Sequence, residues 1–154
     1  MRFRLSNSFA SSFGVISISA SFDVIPRAIK RLFHQASIGD QSYRFMFERE
    51  RSDEVVAIDC ETTGLNVRTD DIITIAAIKI RGNRIRTSER FEAAVRPDAS
   101  MKAEAIKVHR LRQVDVMQGP LIWKALPKFL HFVGGRPLVG YYVDFDIAML
   151  DKYI

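Results

Sequence analysis

Residues 55–65 read VVAIDCETTGL, an apolar, β-branched run that meets two acids and then a glycine. Val55 to Asp59 has the composition of a buried strand, and Gly64 marks the turn that follows it. Successive side chains on an extended chain point to opposite faces, so Asp59 and Glu61 share one face, about 6.6 Å apart along the strand. Cys60 faces the other way. Like charges that close are costly unless a cation sits between them, and hard carboxylate oxygens suit Mg²⁺ or Mn²⁺. Two ions about 4 Å apart could be held there, one activating water and one stabilising the leaving oxygen of a phosphodiester. A bare Asp-x-Glu is more often a solvated strand end, so the surrounding residues must decide.

Downstream, Ile72 to Arg81 is a second apolar strand, Gly82-Asn83 a tight turn and Arg84 to Val95 a third strand, which together predict an antiparallel meander ended by Pro97. Glu104 to His109 and Gln113 to Met117 read as short helical pieces. Leu121 to Val133 reads as a longer helix with Ile122, Ala125, Leu126, Phe129 and Val133 on one face. Pro127 either kinks that helix or marks a late start. Gly134-Gly135 closes it, Pro137 to Gly140 enters another strand, and a last helix runs from Asp144 toward Ile154 without a cap. Upstream, Ile25, Ala28, Ile29, Leu32, Phe33 and Ala36 recur at helical spacing with Arg27, Lys30 and Arg31 on the other faces. This basic helix is expected to pack its apolar face on the neighbouring domain. The expected division is a poorly ordered extension over 1–22, a helical lead-in over 23–52 and an α/β domain over 53–154. The serine-rich start reads as an extension or an upstream translation start rather than a cleaved signal.

Composition fits this plan. The 154 residues are 47% hydrophobic and 27% charged, enough for one compact domain and unlike a disordered chain. Of the net charge of +5, most lies upstream: residues 1–52 hold 8 Lys or Arg against 4 acids, residues 53–154 hold 15 against 14. That excess favours an anionic partner such as nucleic acid. A single cysteine excludes an internal disulfide and makes a reducing cytoplasm the simplest compartment. No stretch approaches the roughly 20 apolar residues of a membrane-spanning helix, so no membrane partner is expected.

VVAIDCETTGL followed by DIITIAAIKI (71–80) resembles the first motif and second strand of the DnaQ-like, or DEDD, 3′-to-5′ exonuclease family of the DEDDh type. LVGYYVDFDIAML (138–150) resembles the second motif and aligns Phe145 and Asp146 with it. The resemblance implies an RNase H-like mixed sheet flanked by helices, with Asp59, Glu61 and Asp146 as catalytic ligands of two Mg²⁺ or Mn²⁺ ions; Asp144 is a lesser candidate. It places Thr62 and Leu65 near the 3′-terminal nucleotide, with Gly64 permitting the turn between them. The chain departs from the family at Tyr141-Tyr142, where His-Asn is usual. At least one of these tyrosines is expected to fill the core between sheet and helix, while a tyrosine there could instead stack on a base or hydrogen-bond a phosphate. His109 in IKVHRL (106–111) resembles the family's Val-His-Gly-Ile linker, with Arg110 in place of glycine, and is expected to make a structural hydrogen bond. His34 and His131 match no functional position.

The family's third motif, a histidine followed by an aspartate, is absent from the eight residues after Asp146. The expectation is therefore an incomplete exonuclease domain over 53–154, cut before its last motif, with little turnover by this chain alone. The implied reaction is stepwise removal of nucleotides from the 3′ end of single-stranded DNA or RNA, DNA being favoured, with release of nucleoside 5′-monophosphates. A polymerase or another protein is a possible partner. A haloacid-dehalogenase-like phosphatase, suggested by Asp59, Glu61 and Thr63, is disfavoured by the Gly82-Asn83 hairpin and leaves the second motif unexplained. A noncatalytic remnant that binds nucleic acid or metal stays open.

Overall fold

The computed structural model describes residues 40–48 and 53–154. The extension expected over 1–22 and the basic helix expected over 24–36 lie outside them. Among the described residues the strands are β1 (Glu54–Thr62), β2 (Ile72–Arg81), β3 (Arg84–Ala94) and β4 (Leu138–Val139); the helices are α1 (Ala103–His109), α2 (Gln113–Val116), α3 (Ile122–Val133) and α4 (Val143–Asp151). The sheet order is β3-β2-β1-β4. The hairpin read from Gly82-Asn83 forms, and β1 pairs antiparallel with β2 along its whole length, Val55 opposite Ile80 and Cys60 opposite Ile75. β4 adds to the free side of β1 in parallel, Val56 opposite Leu138. The result is the mixed sheet with flanking helices of an RNase H-like fold.

Alternation along β1 sets the core. Val56, Ile58 and Cys60 are buried, whereas Asp59 between them is exposed. Their apolar face joins Ile75 and Ala77 of β2, Leu126, Phe129 and Val133 of α3, and Ile147, Met149 and Leu150 of α4 in one cluster. α3 runs unbroken through Pro127 from Ile122, so the late start is not what occurs. The ring removes one backbone hydrogen bond, and the buried stripe of Ile122, Ala125, Leu126, Phe129 and Leu130 holds the turns on either side of it. Ahead of the sheet, a 3₁₀ segment, Gln41–Phe47, is started by the Asp40 carboxylate accepting from the Ser42 N–H. It buries Met46 in the cluster and lays Phe45 against the His131 ring, centroids 4.4 Å apart.

Glu54 lies on the buried face of β1 and is itself buried. Its carboxylate accepts from both Nε and Nη2 of Arg81 at the end of β2, the former at 2.8 Å, and from Nε of Arg136 ahead of β4 at 2.8 Å. A buried carboxylate is tolerable when guanidinium donors surround it in this way. The Arg136 hydrogen bond, aided by Arg81 and opposed by burial, holds the Glu54 carboxyl below its ordinary range. A depressed carboxyl contributes stability above its unfolded pKa and loses it as pH falls through the folded one. Glu54→Ala is expected to cost about 3 kcal/mol in urea denaturation at neutral pH. The gap from wild type should narrow as the pH falls to about 3; a variant as stable as wild type at neutral pH would contradict the role of this clamp.

Candidate active site

The site grows from a gap in the sheet. The Val56 N–H donates to the Pro137 carbonyl at 2.9 Å, so this side of β1 faces β4, and the N–H groups of Ile58 and Cys60 point the same way. β4 is only two residues long. At Gly140 the chain presses against β1 so tightly that a Cβ would fall 2.7 Å from the Ile58 carbonyl oxygen, which is why glycine stands there. It then turns away into α4, and β4 never reaches Cys60. Asp146 of α4 takes that donor instead: its Oδ1 accepts from the Cys60 N–H at 3.1 Å. Asp146 is thereby held against β1 at Cys60, near enough to Asp59 and Glu61 to feel their charges.

Burial and like charge both oppose ionisation of Asp146 in this position. Asp146 is only 4% exposed. Burial pushes its carboxyl up to about 6, with the negative charges of Asp59 and Glu61 adding to the rise and the Cys60 N–H opposing it. Burial and the same three acids push the Cys60 thiol up as well, so it stays protonated and is no nucleophile. Among the described residues no three acids, histidines or cysteines are closed around a common point. The donor set, three hard carboxylates whose charges already act on one another, fits divalent metal ions. Asp144 is exposed and has no comparable contact with β1, so of the two aspartates it is Asp146 that joins the site.

The loop after β1 is built around residues that sequence reading did not single out. Asp70 is buried, and its Oδ2 accepts from the Asn66 N–H at 2.8 Å and from Lys102 Nζ at 2.7 Å. Burial works upward on this carboxyl, but Lys102, the Asn66 N–H and Thr63 outweigh it and hold it low. A Cβ on Gly64 would lie 2.5 Å from that same Oδ2, so a larger residue there would have to displace the Asp70 carboxylate from its donors. The Thr62 hydroxyl is buried and donates to the Gly64 carbonyl at 2.7 Å. Leu65, 84% exposed, is left at the surface of this braced loop. Asp71 ties the loop to both flanks, accepting from the Asp98 and Ala99 N–H groups and from Lys152 Nζ and Tyr153 Oη. The available signal was the acidic pair 70–71 set directly before an apolar strand.

The expectation that one of Tyr141 and Tyr142 fills the core is wrong. Tyr141 is 97% exposed and Tyr142 76%. The chain leaves β4 at Gly140, Tyr142 takes a left-handed conformation (φ 53°, ψ 38°) at the start of α4, and Ile147, Met149 and Leu150 occupy the core positions instead. The Tyr142 ring lies nearly parallel to Phe145, centroids 6.5 Å apart and planes 19° apart. His109 makes the structural bond expected of it, its Nδ1 accepting from the Leu111 N–H at 3.0 Å. His131 places its Nδ1 2.8 Å from the Pro127 carbonyl.

Comparison with known proteins bears on this geometry. A family model for RNase T, described as exonuclease, matches residues 56–154. The PolC-type DNA polymerase III of Caldanaerobacter subterraneus subsp. tengcongensis is 37% identical over 97 residues, 63% of this chain and 7% of that one. The DNA polymerase III subunit epsilon of Aquifex aeolicus is 34% identical over 98 residues, 64% of this chain and 48% of that one. The chain thus spans about half the length of that subunit and a small fraction of the PolC-type protein. Among solved structures, exonuclease X in complex with 5′ overhanging duplex DNA aligns with a TM-score of 0.53 and 27% identity, over 62% of this chain and 52% of that one.

The raised carboxyl of Asp146 has a measurable consequence. Its penalty is absent below the unfolded pKa, where the group is protonated in both states, and is complete above about 6. Asp146→Asn keeps an oxygen for the Cys60 N–H and sheds the charge. In metal-free buffer at about pH 8 its thermal midpoint is expected to exceed that of wild type by a few degrees, with the difference vanishing near pH 4. A lower midpoint at the higher pH would show that the charge is not strained there.

Proposed function

The chain belongs to the RNase T family of exonucleases, and from that premise we propose that the protein removes nucleotides one at a time from the 3′ end of single-stranded DNA or RNA, releasing nucleoside 5′-monophosphates. The observation that carries this reading is the hydrogen bond from the Cys60 N–H to Asp146, which sets a third carboxylate beside Asp59 and Glu61. DNA is the favoured substrate, since both relatives are named as DNA polymerase III proteins and exonuclease X was solved with DNA. A polymerase is the favoured partner on the same ground. The lone, buried Cys60 suits a reducing cytoplasm.

Asp59, Glu61 and Asp146 would hold two ions, Mg²⁺ or Mn²⁺. Bound there, the ions would activate water and neutralise charge on the leaving oxygen. The chain's own residues do the positioning. The Cys60 N–H fixes Asp146, and Asp146 gives up its proton most readily when a cation replaces it. Thr62 holds the Gly64 carbonyl and so braces the turn that presents Leu65 to the terminal nucleotide. Tyr141 and Tyr142, exposed at the start of the helix that carries Asp146, receive the strand.

A second reading applies to these 154 residues taken alone: binding without turnover. His109 is committed to the Leu111 N–H and His131 packs on Phe45, so neither described histidine is placed as a general base. A positioned base contributes about 10² to 10⁴-fold. Asp59→Ala is expected to abolish Mn²⁺-dependent digestion of a 3′-labelled oligonucleotide by the active protein, and undiminished digestion would sink the assignment. The 154-residue chain by itself is expected to digest that oligonucleotide about a hundredfold more slowly than the Aquifex epsilon subunit. Equal rates would refute the need for a general base beyond the described residues.

A further inference from the structure

We infer that Tyr142, backed by Phe145, is a stacking platform for an unpaired nucleobase of the substrate strand, so that the site selects single strands carrying bases near the 3′ end. This rests on the exonuclease reading and adds to it the part of the substrate that is recognised. Three observations converge on Tyr142. Its ring is left at the surface together with Tyr141, although the core accommodates a full-sized aromatic at Phe129. Adjacent exposed aromatics of this size mark a surface made for contact.

The backbone supplies the second observation. Tyr142 has φ 53°, a region that disfavours any residue with a Cβ. The other described non-glycine residue with positive φ, Arg110, sits at the C-cap of α1, where a left-handed residue is the ordinary ending. Tyr142 is an N-cap, where extended backbone is the rule, and its side chain makes no capping hydrogen bond. Neither core packing nor helix capping accounts for a tyrosine in this conformation. Backbone strain of this kind concentrates at functional positions.

The third observation is the bracing. Phe145 lies nearly parallel to the Tyr142 ring, and it precedes Asp146, which is pinned to β1. One helix therefore carries both the carboxylate and the aromatic pair. The occupant that suits a flat apolar ring on the same helix as a carboxylate proposed to hold metal is a strand that has both a phosphate backbone and aromatic bases. Base–aromatic stacking tolerates any sequence and requires bases free of pairing. A duplex end, whose bases are already stacked and paired, presents less to such a ring.

The test compares two 5′-labelled oligothymidylates, one intact and one abasic at its three 3′-terminal positions, by fluorescence anisotropy in calcium buffer. Wild type is expected to bind the intact strand about tenfold more tightly, at the lower end of what one base–aromatic stack supplies. Tyr142→Phe should retain that ratio. Tyr142→Gly, which adopts the positive φ without strain and should melt no earlier than wild type, should bring the ratio within about twofold of unity. Equal binding of the two strands by wild type, a tenfold ratio kept by Tyr142→Gly, or no binding of either strand would each overturn the inference. The ratio is read without turnover, so the exonuclease reading can fail in the Asp59→Ala assay while the preference stands, and the preference can be absent while that assay succeeds.

Discussion

The hydrogen bond between the Cys60 N–H and the Asp146 carboxylate joins the fold to the site. A buried backbone donor must be paired, and the shortness of β4 leaves this one without a strand partner. A side chain from α4 meets the need, and because it is an aspartate the repair of the sheet also brings a third negative charge beside Asp59 and Glu61. The site therefore lies where β1 and β4, running parallel, end in the same direction. Ligands of α/β sheets characteristically bind beyond the carboxyl ends of their strands.

Among the described residues, the buried carboxylates that fasten the fold differ from Asp146 in their partners. Glu54, Asp70 and Asp71 are held below their ordinary range, Glu54 and Asp70 by Arg and Lys side chains and Asp71 by Lys152, backbone N–H groups and Tyr153. These acids fasten β1 at one end and the following loop at the other. Asp146 is raised instead, because it is buried among like charges and receives a single backbone donor. Perturbation by burial and like charge is characteristic of functional sites, whereas perturbation by ion pairing is commonly structural. Among the described residues, basic side chains pair with Glu54, Asp70 and Asp71 and none pairs with Asp146.

Regular hydrophobic patterns were legible in the sequence, and tertiary effects were not. β2 occupies the span its apolar run indicated, and the buried face of α3 contains each of the residues assigned to it. The β-branched run that reads as a buried strand spans Val55 to Asp59, and pairing with β2 carries β1 on to Thr62. Pairing is a property of two strands and leaves no mark on one. Asp59 and Glu61 stand out by their spacing on one strand face, whereas Asp146 could be found only through the resemblance of its motif, since it lies 86 residues from the donor that fixes it. The Tyr141-Tyr142 pair misled because an aromatic pair in an apolar segment looks like core; the left-handed turn that throws the rings outward depends on Gly140 passing close to β1.

The alternation of β1 reaches beyond the native structure to the reliability of folding. A slip of one residue against β2 would exchange the two faces of the strand, putting Asp59 and Glu61 into the apolar cluster and Val56, Ile58 and Cys60 outside it. Such a species would lose its core and its acidic site at once. A population of well-folded molecules with a scrambled acidic face is therefore excluded for this kind of error: misregistered chains would expose apolar surface and fall to aggregation or proteolysis. The strand that bears the acids makes folding its own quality control.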